Sequence, residues 1–247
     1  MVSKNQSLKV ALVCIAKNED NTIQEWLSYN KKLGFTKIFM YENDWTCPID
    51  DEILYKIKMD GKNKQMHSYN HWLAKHKKNY DYAAFIDCDE FIVLKKHNNI
   101  VDFLEQFKNS HGICINWMMF GSLGQEKIGE NKNRLLKRFT YRDQNPDKCI
   151  KTILNTKPHA SFAHPHHSSL PTYDTNGKLV RGPFNPNGPV DYIQLNHYHH
   201  KSYEEWENRI KRGQPTTLVR KLKTWGENKN NHKEKEDVQA LNWFYNS

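Results

Sequence analysis

No stretch of this sequence approaches the ~20 consecutive apolar residues that a membrane-spanning helix requires. Lys4 and Lys9 precede the apolar run Val10 to Ala16, which faintly imitates a secretory leader. The run is short, however, and continues into Lys17-Asn18-Glu19-Asp20 with no small-residue cleavage site. A first core strand is the expectation. Cysteine is sparse and has no C-x-x-C pair: Cys14, Cys47, Cys88, Cys114 and Cys149 make an odd count. That argues against a disulfide framework and for a reducing compartment. Apolar residues are few, at 37%, but the 12% aromatic content argues against a disordered chain. There is no internal repeat and no clear linker. Acidic residues are the minority, 28 against 37 basic, giving a net charge of +9. Such a surface favours anionic partners: nucleic acid, acidic lipid or phosphorylated small molecules. Plain solubility is the alternative. At 247 residues the chain suits one larger domain, or one domain with an appended subdomain.

The first half alternates between two periodicities. Val10 to Ala16 is continuously apolar, as in a strand buried on both faces. Residues 19 to 33 read as a helix with Ile23, Trp26, Leu27 and Leu33 near one face, Glu19 and Asp20 in its first turn, and Gly34 ending it. Lys37 to Tyr41 reads as a second strand. A helix over 63 to 78 follows, then a strand at Tyr82 to Ile86, a helix at Ile100 to Phe107 and a strand at Gly112 to Ile115. This order predicts an α/β fold around a parallel sheet, whose ligands bind beyond the carboxyl ends of the strands. Three polar clusters follow those ends: Lys17-Asn18-Glu19, Glu42-Asn43-Asp44, and Asp87, Asp89 and Glu90. Residues 121 to 191 are rich in Gly, Pro, Asn and His, so loops dominate there. Ser202 to Glu205 forms a capping box opening a further helix, and residues 220 to 236 are basic and polar.

The segment F-I-D-C-D-E-F over 85 to 91 concentrates the chemistry. On an extended segment Asp87 and Asp89 point to one side and Glu90 to the other. Two carboxylates suit Mg²⁺ or Mn²⁺ and leave coordination positions for phosphate oxygens. Such an ion neutralises a departing diphosphate. A solvated strand-to-loop turn is the bland alternative.

The chain resembles GT-A-type glycosyltransferases, more narrowly the family 2-like and family 92-like enzymes. Four segments carry the likeness: V-A-L-V-C-I-A-K-N-E-D with E-W-L-S-Y-N-K-K-L-G-F and I-F-M-Y-E-N-D; Y-A-A-F-I-D-C-D-E-F-I; I-N-W-M-M-F-G-S-L-G-Q with Arg138-Phe139 and Lys151 to Ile153; and L-N-H-Y-H-H-K-S-Y-E-E-W with Arg212-Gly213. The resemblance implies a Rossmann-like, mostly parallel sheet flanked by helices, with a loop-rich acceptor region. It implies one domain over 1–213, with a nucleotide-sugar half (1–116) and an acceptor half (117–213). Residues 214–247 are left as a basic extension. It further implies a nucleotide-sugar donor, a UDP-sugar by expectation, and a divalent metal. Carried onto this sequence, Asp87 and Asp89 hold metal, Asp87 also contacts the donor, and Asn18, Glu19, Asn43 and Asp44 lie by the nucleotide. Similar folds bring a late His back to the metal, here His197, and Lys201 is a candidate diphosphate clamp.

Trp117 and Phe120 are expected to face the acceptor, as platforms for a sugar ring or as core residues. Glycosyl transfer with inversion needs a base. The E-D signature that relatives carry is missing, leaving Glu126, with Asp191 and His166 as rivals. The histidines His159, His164, His166 and His167 lack the spacing of a zinc site. Expected partners are the nucleotide-sugar and a glycan acceptor, as in surface polysaccharide or lipopolysaccharide assembly. The expected setting is cytoplasmic, with Leu218, Leu222 and Trp225 of the basic stretch resting on acidic membrane lipid. A metal-dependent nucleic-acid-binding protein or nuclease is the competing function, but Lys is spread throughout and no binding motif appears.

Overall fold

A computed structural model describes residues 7–212 and 234–246. β1 (Val10–Ala16) sits mid-sheet, parallel to β2 (Lys37–Glu42) on one side and to β4 (Tyr82–Phe85) on the other; β3 (Leu54–Lys58) extends the sheet in parallel beyond β2. Its side chains explain the unbroken apolar run. Val10, Leu12, Cys14 and Ala16 enter the core beneath α1 (Ile23–Leu33), while Ala11, Val13 and Ile15 face α2 (Gln65–Lys75) with Tyr69 and Trp72. Both faces are covered, so no position can be polar. Helix α1 ends where Gly34 takes φ 98° and donates its N–H to Asn30 and Lys31 carbonyls, a left-handed cap that a side chain would strain.

The expected parallel series is interrupted beyond β4. Between β4 and β6 (Gly112–Met119) lies β8 (Ile150–Asn155), antiparallel to both. The sheet is therefore mixed but mostly parallel. β6 runs four residues past the expected strand end at Ile115. Its first half pairs with β8, and Trp117 to Met119 pair instead with β13 (Ile193–His197), which is antiparallel to β5 (Glu90–Leu94). Trp117 is thus a strand residue. The strands β5, β8 and β13 escape sequence periodicity because all are short apolar or mixed runs. The capping box at Ser202 forms as expected, with Glu205 accepting from Ser202 N–H at 3.0 Å, and opens α5 (Tyr203–Arg212).

Residues 234–246 pack against the body of the fold. β14 (Lys235–Glu236) pairs with β7 (Tyr141–Arg142), and α6 (Gln239–Tyr245) packs on α1. Tyr29 meets Trp243 at 4.9 Å between ring centres, and Tyr245 donates to the buried Glu25 at 2.7 Å. Asp237 pairs with Arg142 at 2.7 Å, both side chains buried. The lipid-facing expectation for Leu218, Leu222 and Trp225 lies outside the described residues. No helix among the described residues is long and apolar enough to cross a membrane.

Candidate active site

The carboxyl ends of β1 and β4 open on one edge of the sheet, and β13 brings His197 to the same edge, opposite Glu90. The D-C-D segment is a turn, closed by the Glu90 N–H donating to the Asp87 carbonyl at 3.1 Å. The rule that alternate residues share a side holds for extended chain, so the expected pairing of Asp87 with Asp89 gives way. Asp87 accepts from Lys151 at 2.8 Å on one oxygen and from Gln65 at 2.7 Å on the other. Glu90, also expected to stand apart, lies on that same side. It accepts from the Asp87 N–H at 2.8 Å and approaches Lys151 to 3.9 Å. Burial pushes the Glu90 carboxyl well up, against the Lys151 charge. The two acids thus share one buried lysine.

Asp89 turns to the other group. It lies 3.6 Å from His197 Nε2 and 3.2 Å from Arg209, and its main-chain carbonyl accepts from Tyr198 N–H. Burial alone would raise its pKa. The approach of His197 and the Arg209 and Lys201 charges outweigh that and hold the carboxylate well below its usual range. Burial lowers the pKa of His197, so its imidazole is neutral near pH 7. His199 joins them: ligand atoms of Asp89, His197 and His199 all lie within 4.8 Å of one another, and all three residues are buried. One carboxylate oxygen and two imidazole nitrogens form a mixed donor set, which suits a divalent transition ion better than Mg²⁺. His197 Nε2 is the nitrogen that approaches Asp89, and its Nδ1 is buried with no hydrogen-bond partner among the described residues. The sequence reading missed His199. The signal was His197-Tyr198-His199, in which alternate positions repeat one residue type.

Beside this cluster lies a cleft of about 130 Å³ lined by Asn18, Glu19, His200, Lys201 and Arg209 among others. Three of the residues expected around the donor hold left-handed backbone: Asn18 at φ 54°, Asp44 at φ 47° and Lys201 at φ 47°. Such strain costs about 1–3 kcal/mol each and clusters at functional sites. Lys201 reaches Glu19 at 3.3 Å. Asp44 is held by Lys17 at 2.9 Å and stays exposed. Asn43 is buried, and its amide donates to the Met59 and Gly61 carbonyls, so it ties the loop after β2 rather than facing the cleft.

The acceptor candidates separate. Trp117 packs between His197, 4.1 Å from its ring centre, and His166 at 4.8 Å. Phe120 is 1% exposed and packs on Tyr198 in the core, so it has no face to offer a sugar. His166 hydrogen-bonds the Ile150 carbonyl, and burial beside Lys151 pushes its pKa down to about 4. Glu126 is exposed in the loop after β6, where its carbonyl accepts from the Glu204 N–H of α5. Asp191 is exposed at the opposite end of β13 from His197, about 20 Å away along extended chain.

The sequence model of glycosyltransferase family 92 matches residues 54–236, most of the chain and all of the D-C-D, β13 and α5 segments. The chain belongs to glycosyltransferase family 92. This family 92 glycosyltransferase matches no curated protein. Among solved structures, it is similar to Staphylococcus aureus TarS, crystallised with UDP-GlcNAc. That match has 15% identity and a TM-score of 0.40, and covers 60% of this chain and 46% of the TarS chain. A UDP-glucose pyrophosphorylase crystallised with UDP-glucose matches across 97% of this chain and 96% of its own, at 7% identity and a TM-score of 0.30.

Proposed function

We propose that this glycosyltransferase uses a divalent metal, Mn²⁺ or Mg²⁺, to move a sugar from a nucleotide-sugar, a UDP-sugar by expectation, to a glycan or lipid-linked glycan, with inversion. The observation that carries the reading is the buried Asp89, His197 and His199 cluster at the open edge of the sheet. Those three side chains would hold the ion, and its mixed oxygen and nitrogen donors favour Mn²⁺ over Mg²⁺. Bound there, the ion supplies Lewis acidity to the leaving diphosphate.

The chain's own groups do the rest. Asn18 and Glu19 border the donor cleft, and Lys201 and Arg209 bring positive charge to the diphosphate within it. Asp87 is fixed in place by Lys151 and Gln65, so its exposed part is available to the donor's ribose. Trp117 supports the acceptor side. Of the three candidate bases, His166 has the best support, because it touches Trp117 and is neutral at pH 7. Its lowered pKa gives it the basicity of a carboxylate. A cytoplasmic enzyme at the inner membrane face, building surface polysaccharide, fits the five unpaired cysteines and the charge of +9.

The test is a thermal-shift screen of UDP-, GDP- and CDP-sugars with and without Mn²⁺. A ligand at 100 times its Kd stabilises by about 2.7 kcal/mol. Stabilisation that disappears with a chelator is expected. If no nucleoside diphosphate stabilises the protein in a metal-dependent way, the reading fails.

A further inference from the structure

Arg209 sits where a bound cation would compete with it. Its Nη1 lies 3.2 Å from Asp89 Oδ2, 3.2 Å from His199 Nδ1 and 3.2 Å from the His199 carbonyl. A guanidinium has only donors and does not lose its charge. In this arrangement Asp89 and His199 therefore both present electron pairs to Nη1. Those are two of the three side chains that make up the buried cluster. A divalent ion drawing on the same carboxylate and imidazole would face a permanent positive charge within a few ångströms, in a site where burial weakens screening. Arg209 and a bound ion would therefore compete for the charge of Asp89 and for His199 as the side chains stand.

Arg209 has somewhere to go. Its side chain is 25% exposed, and it lines the cleft shared by Asn18, Glu19 and Lys201. An arginine fork released from Asp89 matches the geometry of a diphosphate. The other basic groups described nearby do not hold the cluster in this way: Lys201 shares the cleft but pairs with Glu19 at 3.3 Å, Lys151 is fully buried against Asp87, and Lys211 pairs with Glu207 at 3.2 Å on the outer face of α5.

We propose that Arg209 is an exchangeable cation. It neutralises Asp89 and holds His199 in the resting enzyme, and it turns to the donor's diphosphate when a divalent ion takes its place. The proposal rests on the metal-dependent reading above. Its consequence is that metal and nucleotide bind with positive coupling. The ion alone must displace Arg209 into an empty cleft, whereas ion plus diphosphate gives the guanidinium a new anion.

Mn²⁺ binding to the full chain, followed by electron paramagnetic resonance of the free ion, tests this without reference to turnover. UDP, GDP and CDP are titrated in parallel by calorimetry, with and without saturating Mn²⁺. In Arg209→Gln, Mn²⁺ alone is expected to bind about tenfold more tightly, because the competing charge is gone. With Mn²⁺ present, the tightest-binding nucleoside diphosphate is expected to bind about tenfold more weakly, the scale of one lost charge-assisted contact. Arg209→Lys should keep the weak Mn²⁺ affinity of the parent. Lys211→Gln, which removes a charge from the same helix, should change neither constant, and melting curves of each variant confirm folding. Unchanged Mn²⁺ affinity in Arg209→Gln overturns the exchange while leaving the metal-dependent reading intact. If neither parent nor variant binds Mn²⁺, both fail. A parallel loosening of Mn²⁺ and nucleotide overturns the exchange and makes Arg209 a scaffold for the cluster.

Discussion

Removing the Asp89 carboxylate takes away the acceptor that His197 and Arg209 share. For Asp89→Asn, transfer should fall by roughly 100-fold or more, the scale of losing one organised electrostatic group in a site. The Mn²⁺-dependent thermal shift should vanish with it. A variant that keeps both would remove Asp89 from the site. Lys151 poses a different problem, since it is fully buried and serves two acids. Lys151→Met should destabilise the fold by about 3 kcal/mol, the low end for breaking a buried pair, because Asp87 keeps 32% of its side chain exposed. Urea unfolding of the single variant and of Lys151→Met with Asp87→Asn measures the coupling. The double variant should recover part of the loss. Residue identities made the D-C-D acids legible as a candidate site in the sequence. Which acid meets which cation was not legible, because the segment is a turn, and a turn abolishes the two-residue alternation on which sidedness rests.

Among elements, the late helix α6 is one that the sequence reading left unassigned within the extension over 214–247. It follows the polar, basic stretch 220 to 236, and its Trp243, Phe244 and Tyr245 pack on α1, with Lys32 donating to the Trp243 and Phe244 carbonyls at 3.1 Å. Tyr245→Phe should cost about 1–2 kcal/mol, because Glu25 loses a hydrogen bond while remaining buried. Thermal denaturation checks this, and an unchanged Tm would mean that the helix end contributes no stability through this bond. In contrast, α1 and α5 were visible from sequence, since Gly34 and the Ser202 to Glu205 box are signals written within a few residues. Strand β13 had no such signal. Its Asn196 pairs with Phe91 and Met118, 105 and 78 positions away in the chain.

For the molecule as a whole, acid stability follows from buried carboxylates with basic partners. Burial would raise the pKa of Asp237, but hydrogen bonds from Arg142 and Gln194 and from the Gln239 N–H outweigh it and leave it lowered. Glu205 behaves likewise: burial raises, while Arg138, Lys201 and Ser202 lower it further. A depressed carboxylate contributes stability that is full above its unfolded pKa, about 4, and is lost as pH falls through the lower folded value. Unfolding free energy should therefore decline below about pH 4, and Asp237→Asn should flatten that decline while lowering the plateau at pH 7. Denaturant midpoints across pH 2.5 to 7 give the comparison; parallel curves for parent and variant would show that the Asp237 to Arg142 pair is not what titrates.

The sequence by itself determined the α/β alternation and the central strands, and it marked the strand-end acids as a candidate place for the chemistry. Apolar runs, helix caps and strand-end acids are local, and each is set by a few neighbouring residues. The family likeness was also written there, in segments whose order and spacing can be read along the chain. Only the tertiary structure decided that Asp87 belongs with Lys151, that Asp89 belongs with His197, His199 and Arg209, and that Phe120 is core. Those groupings depend on how a turn is closed and on strand pairings across long separations. Burial then sets which groups are charged, and no local pattern of residues carries that information.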